Sequence, residues 1–226
     1  MYFYIEPPQI DQQIQQVTGF TYEHIKSHRL EDGELFWATD LRGKVYECTL
    51  SYLDKKKAMA GYKVIKTQIK DSALSHVLIQ GIPDKNYLDK MLEVAALAGF
   101  SKIILFQAGF SPKYSLNQDR LLKIALQAAL LAEFSTLPEI EIWSFKDLCV
   151  DKNILKNSLV LSQFGEYSTS VTSADSKYIW VGPEGGWNKT EDDFFTTSNL
   201  PLLSLSPNSI YPAWLAGSVW RLQNLR

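Results

Sequence analysis

Apolar positions along this chain follow two rhythms, and the change falls near Ser72. From Ile5 to about Ile69 they alternate with polar residues over short stretches. Glu34-Leu35-Phe36-Trp37-Ala38-Thr39 and Lys44-Val45-Tyr46-Glu47-Cys48-Thr49-Leu50 flank Asp40-Leu41-Arg42-Gly43, and in the second run Val45, Glu47 and Thr49 oppose Tyr46, Cys48 and Leu50. That period of two marks a half-buried strand, and the glycine turn before it predicts a hairpin. Gly61-Tyr62-Lys63-Val64-Ile65-Lys66 predicts another strand. A small β-barrel or sandwich accounts for this half.

Beyond Ser72, apolar runs and helical stripes take turns. Strands are predicted at 75–80, 102–106, 139–143, 158–162, 178–181 and 202–205. Pro83-Asp84 opens a helix in which Leu88, Met91, Leu92, Ala95 and Ala98 recur at helical spacing until Gly99 stops it. A long helix is expected from Asn117 to about Phe134, a helical turn from Ser144, and a closing helix at 212–222 with Leu215, Val219 and Leu222 on its apolar stripe. Such alternation calls for a mostly parallel sheet with helices on both faces.

The sharpest break follows Tyr178-Ile179-Trp180-Val181, where an apolar run gives way to Gly182-Pro183-Glu184-Gly185-Gly186-Trp187. Asn188-Lys189-Thr190-Glu191 then has the spacing of a capping box, so the loop joins a buried strand to a helix. At the carboxyl edge of an open α/β sheet, glycines expose bare N–H and C=O groups to a ligand. A tight Pro/Gly turn with no ligand is the competing reading. The loop is neither a Walker phosphate loop, since no Gly-Lys-Ser/Thr follows, nor a dinucleotide fingerprint.

With 226 residues, 46% hydrophobic and 21% charged, the chain can bury a proper core in one large domain or two modest ones. The start, Met1-Tyr2-Phe3-Tyr4-Ile5-Glu6-Pro7-Pro8, does not read as a signal peptide, and no later window looks long and apolar enough to span a bilayer, so the expected location is the cytoplasm. Cys48 and Cys149 read as buried thiols, and with His24, His28 and His76 they form no metal-ligand spacing. A net charge of −2 excludes a surface that is basic throughout. Residues 1–72 carry 10 basic and 10 acidic side chains, so any basic surface is local. Lys55-Lys56-Lys57 with Lys63, Lys66 and Lys70, beside Arg42 and Lys44, is either a solvated hairpin face or a binding surface.

Gly182-Pro183-Glu184-Gly185-Gly186-Trp187-Asn188-Lys189-Thr190-Glu191, with Leu203-Ser204-Leu205-Ser206-Pro207 after it, resembles the RsmE family, SPOUT-class methyltransferases that act on uridine N-3 of 16S ribosomal RNA. In the front half, His24-Ile25, Arg29, Gly33, Asp40, Gly43 and Tyr46 fall in the order of that family's pattern, so the resemblance spans nearly the whole chain. It implies a PUA-like β-barrel over residues 1–72, with RNA-binding candidates Arg29, Arg42, Lys44, Lys55, Lys56 and Lys57, and an α/β SPOUT trefoil-knot domain over 73–226. It further implies a homodimer whose partner is ribosomal RNA or the small subunit, with S-adenosylmethionine as cofactor and no metal. Main-chain atoms of three loops would hold the cofactor: Leu161 and Ser162; Val181, Gly182, Pro183, Glu184, Gly185 and Gly186; and Leu205, Ser206, Asn208, Ile210, Tyr211 and Ala213.

Several polar residues of the family pattern are replaced. Val94-Ala95-Ala96-Leu97-Ala98-Gly99 stands for Lys-Ala-Thr-Glu-Leu-Gly; Leu130-Leu131 and Phe134 stand where Glu-Gln and an arginine belong; Asn208-Ser209-Ile210-Tyr211-Pro212-Ala213-Trp214-Leu215 stands for Arg-Ile-Leu-Arg-x-Glu-Thr-Ala. Methyl transfer to uracil N-3 requires alignment, deprotonation and a base held out of its helix, and arginines normally serve the last two. After residue 72 the chain has only Arg120, Arg221 and Arg226. Glu184 is the catalytic candidate, with bracing of the loop as its other role; Tyr211 and Trp214 suit either base stacking or a dimer core. The expected activity is therefore S-adenosylmethionine-dependent rRNA methylation, and the alternative is a non-catalytic relative that binds S-adenosylmethionine or RNA.

Overall fold

The computed structural model describes residues 1–9, 12–70, 75–167 and 176–224. Contacts divide the chain into two compact units, Met1–Ala73 with Ala129–Leu137, and Leu74–Ala128 with Pro138–Arg226. The boundary expected at residue 72 falls among residues 71–74, outside the described set.

In the first unit, β1 (Phe3–Tyr4), β2 (Gln15–Thr18), α1 (Gly19–Ser27), β3 (Leu35–Thr39), β4 (Lys44–Asp54) and β5 (Met59–Ile69) build a five-stranded sheet in the order β1-β3-β4-β5-β2, a curled half-barrel. The β3–β4 hairpin forms where it is expected because Gly43 supplies a φ of +96° and the buried Asp40 carboxylate accepts the N–H groups of Arg42 and Lys44 and the Tyr46 hydroxyl. Tyr46, Cys48 and Leu50 enter one core with Phe3, Ile25, Phe36 and Tyr62. Burial pushes the Cys48 thiol up to about 12, which makes it an inert core residue.

The segment Ala129–Leu137 completes this unit. Leu130 O and Ser135 O accept the N–H groups of Tyr2 and Gly43, and Glu133 O accepts from Lys70 Nζ. The helix expected to reach Phe134 accordingly ends sooner: α3 is Gln118–Leu131, and Glu133 takes a φ of +56°.

The second unit holds β6 (Ser75–Gly81), α2 (Lys85–Leu97), β7 (Phe100–Phe106), β8 (Glu139–Trp143), α4 (Phe145–Val150), α5 (Lys152–Lys156), β9 (Ser158–Tyr167), β10 (Tyr178–Val181), α6 (Lys189–Thr197), β11 (Leu202–Ser204) and α7 (Ala213–Gln223). Its six strands are parallel, in the order β11-β9-β10-β6-β7-β8. Val77 and Ile79 of β6 pack with Leu148, Ile154 and Phe195 from α4, α5 and α6; Leu78, between them, meets Gly217 of α7 on the opposite face. Helices thus cover both faces, as the alternation of elements requires.

Two expectations are corrected. β9 runs five residues past its apolar stretch, because β11 pairs along that extension, Leu203 with Glu166 and Ser204 with Tyr167. The closing helix buries Ala216, Gly217, Ser218, Trp220 and Arg221, while Leu215 and Val219 are half-buried and Leu222 is 55% exposed. A Cβ on Gly217 would come within 2.6 Å of Leu78 Cδ1, so the small-residue face is what lets α7 lie close to the sheet. No helix among the described residues is long and apolar enough to cross a membrane.

Candidate cofactor site

The glycine loop starts where β10, buried along its whole length between β6 and β9, runs out. Gly182 O accepts Nε2 of the buried Gln80 at 2.9 Å, and Gly186 N donates to Pro183 O at 2.9 Å to close the turn. Gly186 alone in the loop has a left-handed φ, +73°. Gly185 is glycine for space, since a Cβ there would lie 2.8 Å from Phe110 Cβ. Gly81, at the end of β6, leaves room for Pro183, whose Cδ would be 2.8 Å from an added Cβ.

Two carboxylates fix the loop's ends. Glu184 Oε2 accepts the N–H of Asp84 at 2.9 Å, and Asp84 in turn caps α2 through Asn86 N, so Glu184 ties the loop to the start of that helix. Glu191, only 3% exposed, completes the capping box with Asn188 and also accepts Gly109 N at 2.8 Å. A Cβ on Gly109 would lie 1.7 Å from Asn188 Nδ2, which locks that loop against the box. Trp187 walls the site: its ring lies 6.2 Å from Phe106 and 4.8 Å from Phe195, and its Nε1–H donates to Leu161 O at 3.2 Å.

The middle of β9, the end of β10 and the segment after β11 line a partly open cavity of about 520 Å³, within the usual range for small-molecule sites. Leu161, Ser162, Gly182, Glu184, Gly185, Gly186, Leu205, Ser206, Asn208, Ile210, Tyr211 and Ala213 line it. Val181 and Pro183 do not: Val181 is buried toward Gly217, and Pro183 packs on Gly81. The lining also includes Gln163, Phe164 and Asp192. Phe164, 89% exposed, is placed there by the extension of β9, which the polar sequence there does not signal. Asp192 carried a usable signal, standing one position past the capping box in the first turn of α6. Among the described residues no group of three or more His, Cys, Asp or Glu could hold a metal ion.

Apart from Arg29, the RNA-binding candidates of the first unit stand at the two ends of β4, with the exposed Lys63 and Lys66 between them on β5, opposite Thr49 and Glu47. Arg42 and Lys44 stand at the start of β4, with Arg42 3.9 Å from Glu6, whereas Lys55, Lys56 and Lys57 form the turn at its other end, organised by Asp54. Eleven residues of strand separate those ends by roughly 33 Å. Arg29 follows α1 with a φ of +56°.

Residues 70–210 match the model of a family described as RNA methyltransferase domain. Among solved structures, the chain is similar to ribosomal RNA small subunit methyltransferase E from Neisseria gonorrhoeae bound to S-adenosyl methionine, at 19% identity and a TM-score of 0.85 over 99% of this chain and 97% of that one. A protein from Legionella pneumophila in complex with bound cofactor SAM gives 15% identity and 0.83 over 98% and 95%. A probable rRNA-methyltransferase from Porphyromonas gingivalis gives 18% and 0.76 over 88% and 87%. At these identities the likeness is one of fold. Among curated proteins, none matches the sequence.

Proposed function

The chain belongs to the RNA methyltransferase domain family, and from that membership we propose that it methylates RNA with S-adenosylmethionine, at uridine N-3 of 16S ribosomal RNA. The observation that carries the reading is the cavity in which the three loops singled out by the RsmE resemblance come together. Loops built from glycine and small turns suit a donor gripped largely by peptide groups, and the volume suits a small-molecule cofactor. Bound there, S-adenosylmethionine supplies a methyl group activated on a sulfonium.

In this reading the chain's own residues chiefly bind and orient. Gly186 bends the loop, Glu184 and Glu191 hold its two ends, and Trp187 ties it to β9 through Leu161 O. Glu184 acts as a brace, since its carboxylate already serves the start of α2. The half-barrel would hold RNA, with Arg42 and Lys44 at one end of β4 and Lys55, Lys56 and Lys57 at the other reaching separate phosphates. The homodimer reading comes from the RsmE resemblance, and in it the partner would cover exposed residues such as Tyr87 on α2 and Leu222 on α7.

A second reading is favoured by one observation: among the described residues, no lysine, arginine or histidine lines the cavity. Without a cation to steady a developing uracil anion, the chain would bind donor or RNA and transfer nothing. Calorimetric titration followed by methyl transfer to small ribosomal subunits tests both. Heat of binding with S-adenosylmethionine and methylated uridine is the expected result. Binding without methylation leaves the second reading, and no heat at millimolar donor rejects the donor site.

A further inference from the structure

Charge in the cavity is one-sided. Among the described residues, Glu184 and Asp192 are the only charged side chains lining it, and both are carboxylates. Glu184 is engaged by Asp84 N–H. The Asp192 carboxylate has no hydrogen-bond or ion-pair partner among the described residues, and the one lysine in its turn, Lys189, gives its ammonium to both oxygens of Asp193, at 3.0 and 2.9 Å. Asp192 is solvent-exposed, and partial desolvation, then the neighbouring Asp193, hold its carboxyl above the ordinary value against the pull of Lys189. Its negative charge is thus only partly compensated where it borders the cavity.

Resting on the donor reading above, we propose that Asp192 makes this cavity select its ligand by charge, preferring the sulfonium donor over the neutral thioether that remains after methyl transfer. The two ligands differ by one methyl group and one positive charge. A carboxylate bordering a partly enclosed cleft acts on that difference through Coulomb attraction even without touching the sulfur. The positive end of the α6 dipole opposes it with about half a charge, less than the full charge of Asp192 alone. The spent cofactor then leaves more readily than the fresh one, the full charge of the carboxylate adding to whatever the partial charges of peptide carbonyls contribute. The rival role for Asp192 is that of an acid stabilising the first turn of α6, with no bearing on ligand.

Calorimetry on the full-length protein separates these roles. For Asp192→Asn the expected result is about threefold weaker binding of S-adenosylmethionine, the scale of an exposed, screened charge, with S-adenosylhomocysteine unchanged. An analogue carrying an ammonium in place of the sulfonium should follow S-adenosylmethionine, and Asp192→Glu should keep the preference. In the parent protein, raising salt from about 20 mM to about 0.5 M should shrink the ratio of the two affinities. Equal loss for both ligands, or a ratio indifferent to the substitution and to salt, overturns the proposal while leaving the donor site standing. No heat with any of the ligands overturns the donor site itself.

Discussion

At the scale of single residues, the glycines of the loop owe their identity to different constraints. Gly185 is set by space, which Phe110 takes up, and Gly186 by backbone conformation, with no atom within 4 Å of where its Cβ would be. Gly186→Ala should therefore destabilise by about 1–2 kcal/mol through its left-handed φ, and Gly186→Asn by less, because asparagine tolerates that region. Urea denaturation of both variants checks this; equal losses would mean that the conformation is not the cause. Clustered glycines after an apolar run made the loop's place legible in the sequence. What each glycine does was not, because the partners Phe110 and Gln80 lie far off in the chain. Glu184 shows the same limit: its hydrogen-bond partner, Asp84, is a hundred residues away.

At the scale of elements, the box that opens α6 does more than start a helix. The pattern Asn188 to Glu191 was readable because it is local, and both reciprocal bonds form. The third bond, from Gly109 N to Glu191, follows β7 and leaves no trace in the local pattern. Glu191→Ala should orphan two backbone N–H groups and cost about 2–5 kcal/mol, well beyond an ordinary exposed cap. Glu191→Gln should recover part of that loss, since its amide oxygen accepts one bond. Thermal and urea unfolding measure both; a loss near 0.5 kcal/mol for alanine would show that the box acts on α6 alone. The misjudged face of α7 has a related origin. Leucine and valine spacing pointed to Leu215, Val219 and Leu222, whereas closeness to the sheet is gained through Ala216 and Gly217, which hydropathy ranks lower.

At the scale of the whole molecule, the fold class was legible because the change from a period of two to alternating strands and helices survives any error in element ends. The return of the chain to its first unit at Ala129–Leu137 was not, since α3 continues into that stretch with unbroken helical spacing. A fragment of residues 1–73 should consequently be much less stable than the same unit in the full chain, having lost the acceptors Leu130 O, Glu133 O and Ser135 O. Fusing residues 129–137 to it through a flexible Gly/Ser linker should restore dispersed amide resonances. A fragment that already gives a dispersed, cooperative spectrum by itself would show that the segment is dispensable.

That return also sets a timetable for biosynthesis. Sixty-four residues separate Ala73 from Leu137, which at cellular elongation rates means roughly 3–13 s of translation. Throughout that interval the nascent half-barrel waits for its last piece, so a nascent-chain helper would meet it there, ahead of the glycine loop.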